Sequence, residues 1–372
     1  MSRLPLPAAT AGLIAAALAA LTLAACGSSA PSGPTASRGS ALDTAKYAWA
    51  VGYCGTIIAT TDGGSHWSPQ SSGTEFHLFG VCFADTRHGW AVGGATEPTR
   101  TSSGRSVSLV LATTDGGSHW VPQSEAPGEP LGRVACADAS HVWVTGGGQR
   151  ATILASSDGG RTWTTQYTDD ALSEIQEIAF ADKLHGWAIN RIGGWNDSRA
   201  AELLATTDGG LHWQVQKTFP GTPIAWAIAF ADTTHGWVIG GLYADGQAGY
   251  GGQVWSTSDG GATWTRLPEP QGDIVELDAV TCSDREHVWI GATGREPVFR
   301  STDGGRTWLE ATEGIGRTDV RALAFGDSSH GWALTQNGIR IVATTDGGAT
   351  WRRQAAHVTK FSLIDIACPR SP

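Results

Sequence analysis

The chain is expected to be an all-β protein, a seven-bladed β-propeller with Asp-box repeats whose ring is closed by its C-terminal strand. Three observations carry this reading. An eight-residue phrase, Thr-Thr-Asp-Gly-Gly-Ala-Thr-Trp at Thr344 to Trp351, recurs around Asp62, Asp115, Asp158, Asp208, Asp259, Asp303 and Asp346 at steps of 43 to 53 residues. Repeats of that length, with strand-like runs between turn signals, indicate a propeller or solenoid array. A second phrase, clearest from Phe180 to Ile189, precedes the later copies, with counterparts beginning at Phe83, Cys136, Phe230, Cys282 and Phe325. The last segment, Leu363 to Cys368, repeats the start of a blade with no strands after it.

In chain order, residues 1–25 are expected to form a signal peptide. An alanine-rich apolar run, Ala8 to Ala25, follows a short segment carrying Arg3, which is the layout of an export signal. It ends Leu23-Ala24-Ala25-Cys26, which resembles a bacterial lipobox, so Cys26 is expected to be lipidated. Residues 26–44 are then a tether of Gly, Ser, Pro, Ala and Thr with nothing to bury. The alternative for this end is an uncleaved membrane anchor. Multiple acyl chains give stable attachment, and the expected location is the outer leaflet of the bacterial cytoplasmic membrane.

Residues 45–372 form the propeller. In the fourth repeat Ile178 and Phe180 alternate around Ala179, the period-2 signature of a strand. A second strand is expected over Trp187 to Asn190, a third over Leu203 to Thr206, and a fourth from Trp213. The Asp-box joins the third to the fourth. Its two glycines supply backbone angles forbidden to side chains, its aspartate accepts N–H groups of its own turn, and its tryptophan lays a ring against the blade. The first repeat starts directly at a second strand, Trp49 to Gly52. Placing Leu363 to Cys368 inside it closes the ring and removes an unpaired edge.

Composition narrows the function. The net charge is −10 with no run of Lys or Arg, which argues against a nucleic-acid partner. One carboxylate per Asp-box falls short of a calcium loop, and no Cys or His spacing reads as a zinc site, so no metal and no cofactor are expected. Nine of 11 His occupy repeat positions, leaving His77 and His357 as solvated residues on connections.

Trp49 to Gly52 followed by Gly55 to Gly64 resembles the repeat of the photosystem II assembly and stability factor family, within the bacterial neuraminidase-repeat, sialidase-like propellers. The resemblance covers residues 45 to 368. It implies the propeller fold and a protein-binding, non-enzymatic assembly role. The arginine-rich patch of those factors has no matching cluster here. The sialidase signature Arg-Ile/Leu-Pro occurs at Arg3-Leu4-Pro5 and Arg266-Leu267-Pro268, and neither position could face the central channel. The second reading is an extracytoplasmic glycan-binding protein or glycoside hydrolase, with Glu276 and Asp319 as its acids.

The repeats disagree at the channel mouth, where ligand sites belong. One register of the inner strands carries Ile364, Phe79, Gly132, Gln176, Trp226, Asp278 and Arg321. Two positions earlier lie Glu174, Glu276 and Asp319. Trp195 and Asn196-Asp197 lie in the long loop of blade 4, and Tyr243 and Tyr250 in that of blade 5. Trp195, Trp226, Tyr243, Tyr250, Gln176, Asp278 and Arg321 are therefore the expected binding surface for a protein partner or a glycan. Trp255 is read as core. Among the cysteines, Cys82 faces a neighbouring blade with Cys368 or Cys136 at its level, and the pairing weighed is Cys82 with Cys368. Cys136, Cys282 and Cys368 are read as buried thiols and Cys54 as free.

Overall fold

Apolar alternation becomes seven inner strands, His77–Phe83, Leu131–Cys136, Ser173–Phe180, Pro223–Phe230, Ile274–Cys282, Thr318–Phe325 and Leu363–Ala367. The computed structural model describes residues 44–95, 106–127, 130–146, 150–170, 173–193, 200–220, 223–244, 247–335, 338–354, 359 and 361–369. Within them each inner strand leads an antiparallel set of four, and there are seven such sets. Blade 4 runs Ser173–Phe180, Gly186–Ile192, Ala200–Thr206 and Gln214–Pro220, which matches the order expected from its sequence. No helix among the described residues is long and apolar enough to cross a membrane. The signal, lipobox and tether lie outside the described residues.

Closure is as expected. Leu363–Ala367 pairs with Ala48–Gly52 through Trp49 opposite Ala367 and Ala50 opposite Ile366, so the end of the chain supplies the first blade's inner strand. Blades 6 and 7 are not separate sheets, because Thr293 and Gly294 at the end of a second strand in blade 6 pair with Asp319 and Thr318 in blade 7.

The Asp-box turn is a closed hydrogen-bond circuit. The Gly348 N–H donates to Thr344 Oγ1 (2.8 Å), that hydroxyl donates to Asp346 Oδ1 (2.8 Å), and Asp346 Oδ1 accepts the Thr350 N–H (2.8 Å). Gly347 and Gly348 sit at φ 67° and 86°, in the left-handed region. The buried hub, Thr344 here and Thr60, Thr113, Ser156, Thr206, Thr257 or Ser301 elsewhere, is a part of the box that the sequence reading passed over. These bonds hold the carboxyl of Asp62 down at about 2, chiefly through the His66 N–H.

The core lies between blades. Trp49, Val51 and Ile57 of blade 1 pack with Leu78, Val81 and Phe83 of blade 2. Four interfaces repeat one ring stack: Trp49 on Phe83, Trp143 on Phe180, Trp187 on Phe230 and Trp289 on Phe325, with centroids 3.4 to 3.6 Å apart. Each Phe also meets the Asp-box Trp of its own blade edge-on, as Phe180 meets Trp213 at 5.9 Å. Opposite each Phe on the second strand is a glycine, because a Cβ at Gly186 would lie 2.4 Å from the Phe180 ring. Where the Phe is Cys136 or Cys282, the opposite residue is Val142 or Val288. The valine takes the volume the ring would have used.

Three expectations need correction. The disulfide joins Cys82 to Cys136, with Cα atoms 6.2 Å apart, and not Cys82 to Cys368. It bridges blades 2 and 3 at an interface where cysteine replaces the stacked Phe. His77 is not a solvated connector; it opens an inner strand, and its Nδ1 accepts the Cys54 N–H at 3.1 Å. Trp255 packs against the core between blades 4 and 5 but is only half-buried, lying edge-on to Phe219 with Lys217 Nζ 4.7 Å above its ring.

Candidate functional site

Every inner strand carries a β-bulge at the same place. In blade 4, Ile175 is opposite Asn190 and Glu177 is opposite Ile189, so Gln176 is an extra residue. The corresponding extra residues are Phe79, Gly132, Trp226, Asp278, Arg321 and Ile364. These are the seven positions at which the repeats disagree. A bulge inserts one residue, kinks the strand and re-aims the side chains beside it. Two successive residues per blade can therefore approach the axis, and the sequence reading named only one of them.

The consequence is a charged channel. A cavity of about 610 Å³ is lined by Phe79, Arg133, Glu177, Asp278, Arg321 and Asp365 among others, with residues from all seven inner strands. Arg133, Glu177 and Asp365, each one residue past a bulge, were missed. The signal was present in the spacing. Apolar residues flank each bulge three apart, as Leu78 and Val81 or Ile175 and Ile178 do, where an unbroken strand would give an even number.

The charges form two groups. On one wall Arg133 Nε pairs with Glu177 Oε2 at 3.0 Å, and Arg133 Nη1 donates to the Gly132 carbonyl. Burial opposes the Arg133 charge, but Glu177, Asp365 and Glu174 outweigh it and raise its pKa. Asp365 accepts the Val81 N–H at 2.9 Å, and burial lifts its carboxyl to about 6 against the pull of Arg133.

On the other wall Asp278 accepts the Thr293 hydroxyl at 2.7 Å and is likewise lifted to about 6, mainly by burial, with Glu276 and Asp319 adding to the rise and Arg321 opposing it. Burial also raises Glu276. Arg321 Nε lies 3.4 Å from Asp319 Oδ2. The bridge between blades 6 and 7 positions this group, since Thr293 is opposite Asp319 in the ladder. Clustered carboxyls with raised pKa in a concave site are a physical marker of function.

Of the expected site residues, Asp278 and Arg321 line the channel, with Glu276 and Asp319 beside them in the same charge group. Gln176 occupies its bulge, half-buried, and is not part of the cavity wall. Trp226, Tyr243 and Tyr250 lie in the strands Pro223–Phe230, Gly236–Ala244 and Gln247–Thr257, and their side chains are outside what the structure describes. Trp195, Asn196, Asp197 and Cys26 lie outside the described residues. No cluster of three or more His, Cys, Asp or Glu able to hold a metal occurs among the described residues. Glu174 is engaged by the buried Arg191 at 2.6 Å.

No protein-family profile matches the chain. The photosystem II assembly lipoprotein Ycf48 of Synechococcus sp. (strain CC9902) is 29% identical over 122 residues, 32% of this chain and 32% of that protein. The match therefore spans about a third of the curated relative. A solved structure of YCF48 bound to D1 peptide is 17% identical, covers 75% of this chain and 82% of its own, and superposes with a TM-score of 0.54. A GH74 xyloglucanase from Xanthomonas campestris is 15% identical with a TM-score of 0.58, and this chain spans 53% of it. In fold, the chain is a Ycf48-like propeller.

Proposed function

We propose that this chain is a lipid-anchored, extracytoplasmic binding propeller that engages a protein partner at its channel mouth, in an assembly role. The supporting observation is the set of seven aligned bulges, of whose extra residues Phe79, Asp278, Arg321 and Ile364 line one charged cavity while the scaffold stays constant. Binding surfaces are expected where a rigid framework presents variable side chains. The likeness to YCF48, whose solved form holds a D1 peptide, supports a peptide segment as the class of ligand. Export and attachment through Cys26 at the outer leaflet of the bacterial cytoplasmic membrane complete the proposal. Affinity purification of the tagged full chain from solubilised membranes tests it. A protein partner should be recovered, and its yield should fall for Glu276→Arg. Recovery of no partner, or equal recovery with the variant, would contradict the reading.

A second reading rests on the carboxyls. Asp278, lifted to about 6 beside Glu276, has the character of a proton donor in glycoside hydrolysis, which needs one protonated and one ionised acid. The fold likeness to a xyloglucanase favours the same class. Here Asp278 replaces Asp319 in the acid role, since Asp319 faces Arg321. Turnover of a glycan panel, lost in Asp278→Asn, would establish this reading over the first.

A further inference from the structure

The mouth face carries a track of aromatic and apolar side chains across blades 7, 1 and 2. Hydrogen bonds donated by backbone N–H groups tie its segments together. Leu363 N–H donates to the Gly338 carbonyl at 2.9 Å, Tyr53 N–H to the Ser362 carbonyl at 3.1 Å, and Cys54 N–H to His77 Nδ1 at 3.1 Å. Beside these bonds Ile339, Phe361 and Tyr53 stand 64%, 47% and 41% exposed. The Tyr53 ring meets His77 edge-on at 4.8 Å, and His77 meets Phe79 edge-on at 6.0 Å. Phe79 is the bulged residue of blade 2 and lines the channel. Thus the track descends from the rim into the cavity. Its turn is held in an unusual shape, because Cys54 is the one described residue other than glycine in the left-handed region, at φ 55°. Such positions persist where the surroundings impose them.

The channel at the foot of the track is unequally charged. Two guanidiniums, Arg133 and Arg321, face Glu177, Asp278 and Asp365 on its wall, with Glu276 and Asp319 next to them. Carboxylates outnumber cations on a chain whose net charge is already −10. An aromatic wall and a negative cavity favour a cation that travels with an apolar side chain, both for charge complementarity and for the attraction of a cation to ring faces.

We propose that the mouth binds an extended peptide segment in which a Lys or Arg enters the channel while a neighbouring aromatic or aliphatic residue lies on the Tyr53, His77, Phe79 and Phe361 track. This inference deepens the protein-partner reading and rests on it. The full chain is titrated with a short fluorescein-labelled peptide alternating Lys and Phe, with its Glu/Phe and Lys/Ser counterparts, and with a xyloglucan oligosaccharide. The Lys/Phe peptide should bind, more weakly at high salt, and the other three should not. Tyr53→Ala with Phe361→Ala should weaken binding by roughly tenfold or more, and Tyr53→Phe should retain it. Glu276→Gln with Asp319→Asn should weaken it and flatten the salt dependence. Equal binding of the Glu/Phe or Lys/Ser peptide, binding of the oligosaccharide instead, or indifference to the rim variants with an unchanged melting curve would overturn the proposal. A membrane partner that is recovered but not displaced by the Lys/Phe peptide would overturn this inference alone. Recovery of no partner would overturn the reading beneath it.

Discussion

The indole N–H of Trp49 in blade 1 donates to the carbonyl of Gly116 in the Asp-box of blade 2, 3.0 Å away. The same bond links Trp90 to Gly159, Trp143 to Gly209, Trp187 to Gly260, Trp237 to Gly304 and Trp289 to Gly347. Each repeat phrase therefore holds the phrase of the next blade. Trp332, the seventh member, is buried at the closure between blades 7 and 1, and its indole N–H has no acceptor among the described residues. The six bonds should contribute about 1 kcal/mol each. Trp237→Phe is expected to cost more than Trp332→Phe by about that amount in urea melts, since each packs beside a cysteine in place of a stacked Phe but only the first breaks a bond. Equal costs would show that the indole bond contributes nothing.

Phe180 and Gly186 face each other across one blade, as Cys136 and Val142 do across another. Gly186→Val should overpack the site and destabilise the protein by about 1–3 kcal/mol, since its Cβ would meet the Phe180 ring at 2.4 Å. Adding Phe180→Cys should recover part of the loss and give a favourable coupling of at least about 0.5 kcal/mol in a double-mutant cycle. Additive costs would mean that the two pairings in the sequence are unrelated to packing.

These pairs mark the limit of what could be read from the chain. The strand order, the Asp-box turns and the closing strand were legible because they depend on local chemistry and period, as the alternation of Ile178 with Phe180 shows. The channel wall was only half legible. A bulge shifts parity after Gln176, so it is Glu177 that lines the channel, and a strict alternation hides that. The Cys82 to Cys136 pairing was not legible either, because Cys136 and Cys368 sit at equivalent levels in the blades on either side, and spacing along the chain does not choose between them.

Asp278 sets a pH dependence. Its folded pKa, about 6 against an ordinary 3.8, is raised by burial, so the folded state binds its proton more tightly than the unfolded chain does. The stabilisation this gives is complete below about pH 4 and is lost as pH rises through 6. Asp278→Asn should therefore gain stability relative to the native chain between pH 4.5 and 7.5, by about 1 kcal/mol once partial solvent access is allowed for. Asp365 remains in the variant and keeps part of the dependence. Parallel melting temperatures across that range would contradict the assignment.

Cys26→Ser should abolish labelling by a clickable fatty acid and release the protein from the membrane fraction, as the Leu23 to Cys26 sequence and the spacer after it imply. Labelling lost with membrane retention unchanged would point to anchoring by the apolar run Ala8 to Ala25 instead.

The central claim is that a protein partner docks on the channel-mouth face. A photo-crosslinking residue at Phe361, on that face, and another at Leu211, 71% exposed in an Asp-box turn at the opposite end of the strands, make the most direct test. Irradiation in intact cells should give a protease-sensitive adduct of defined mass from position 361 and none from position 211. An adduct from 211 alone, or none that is protein from 361, would contradict the account.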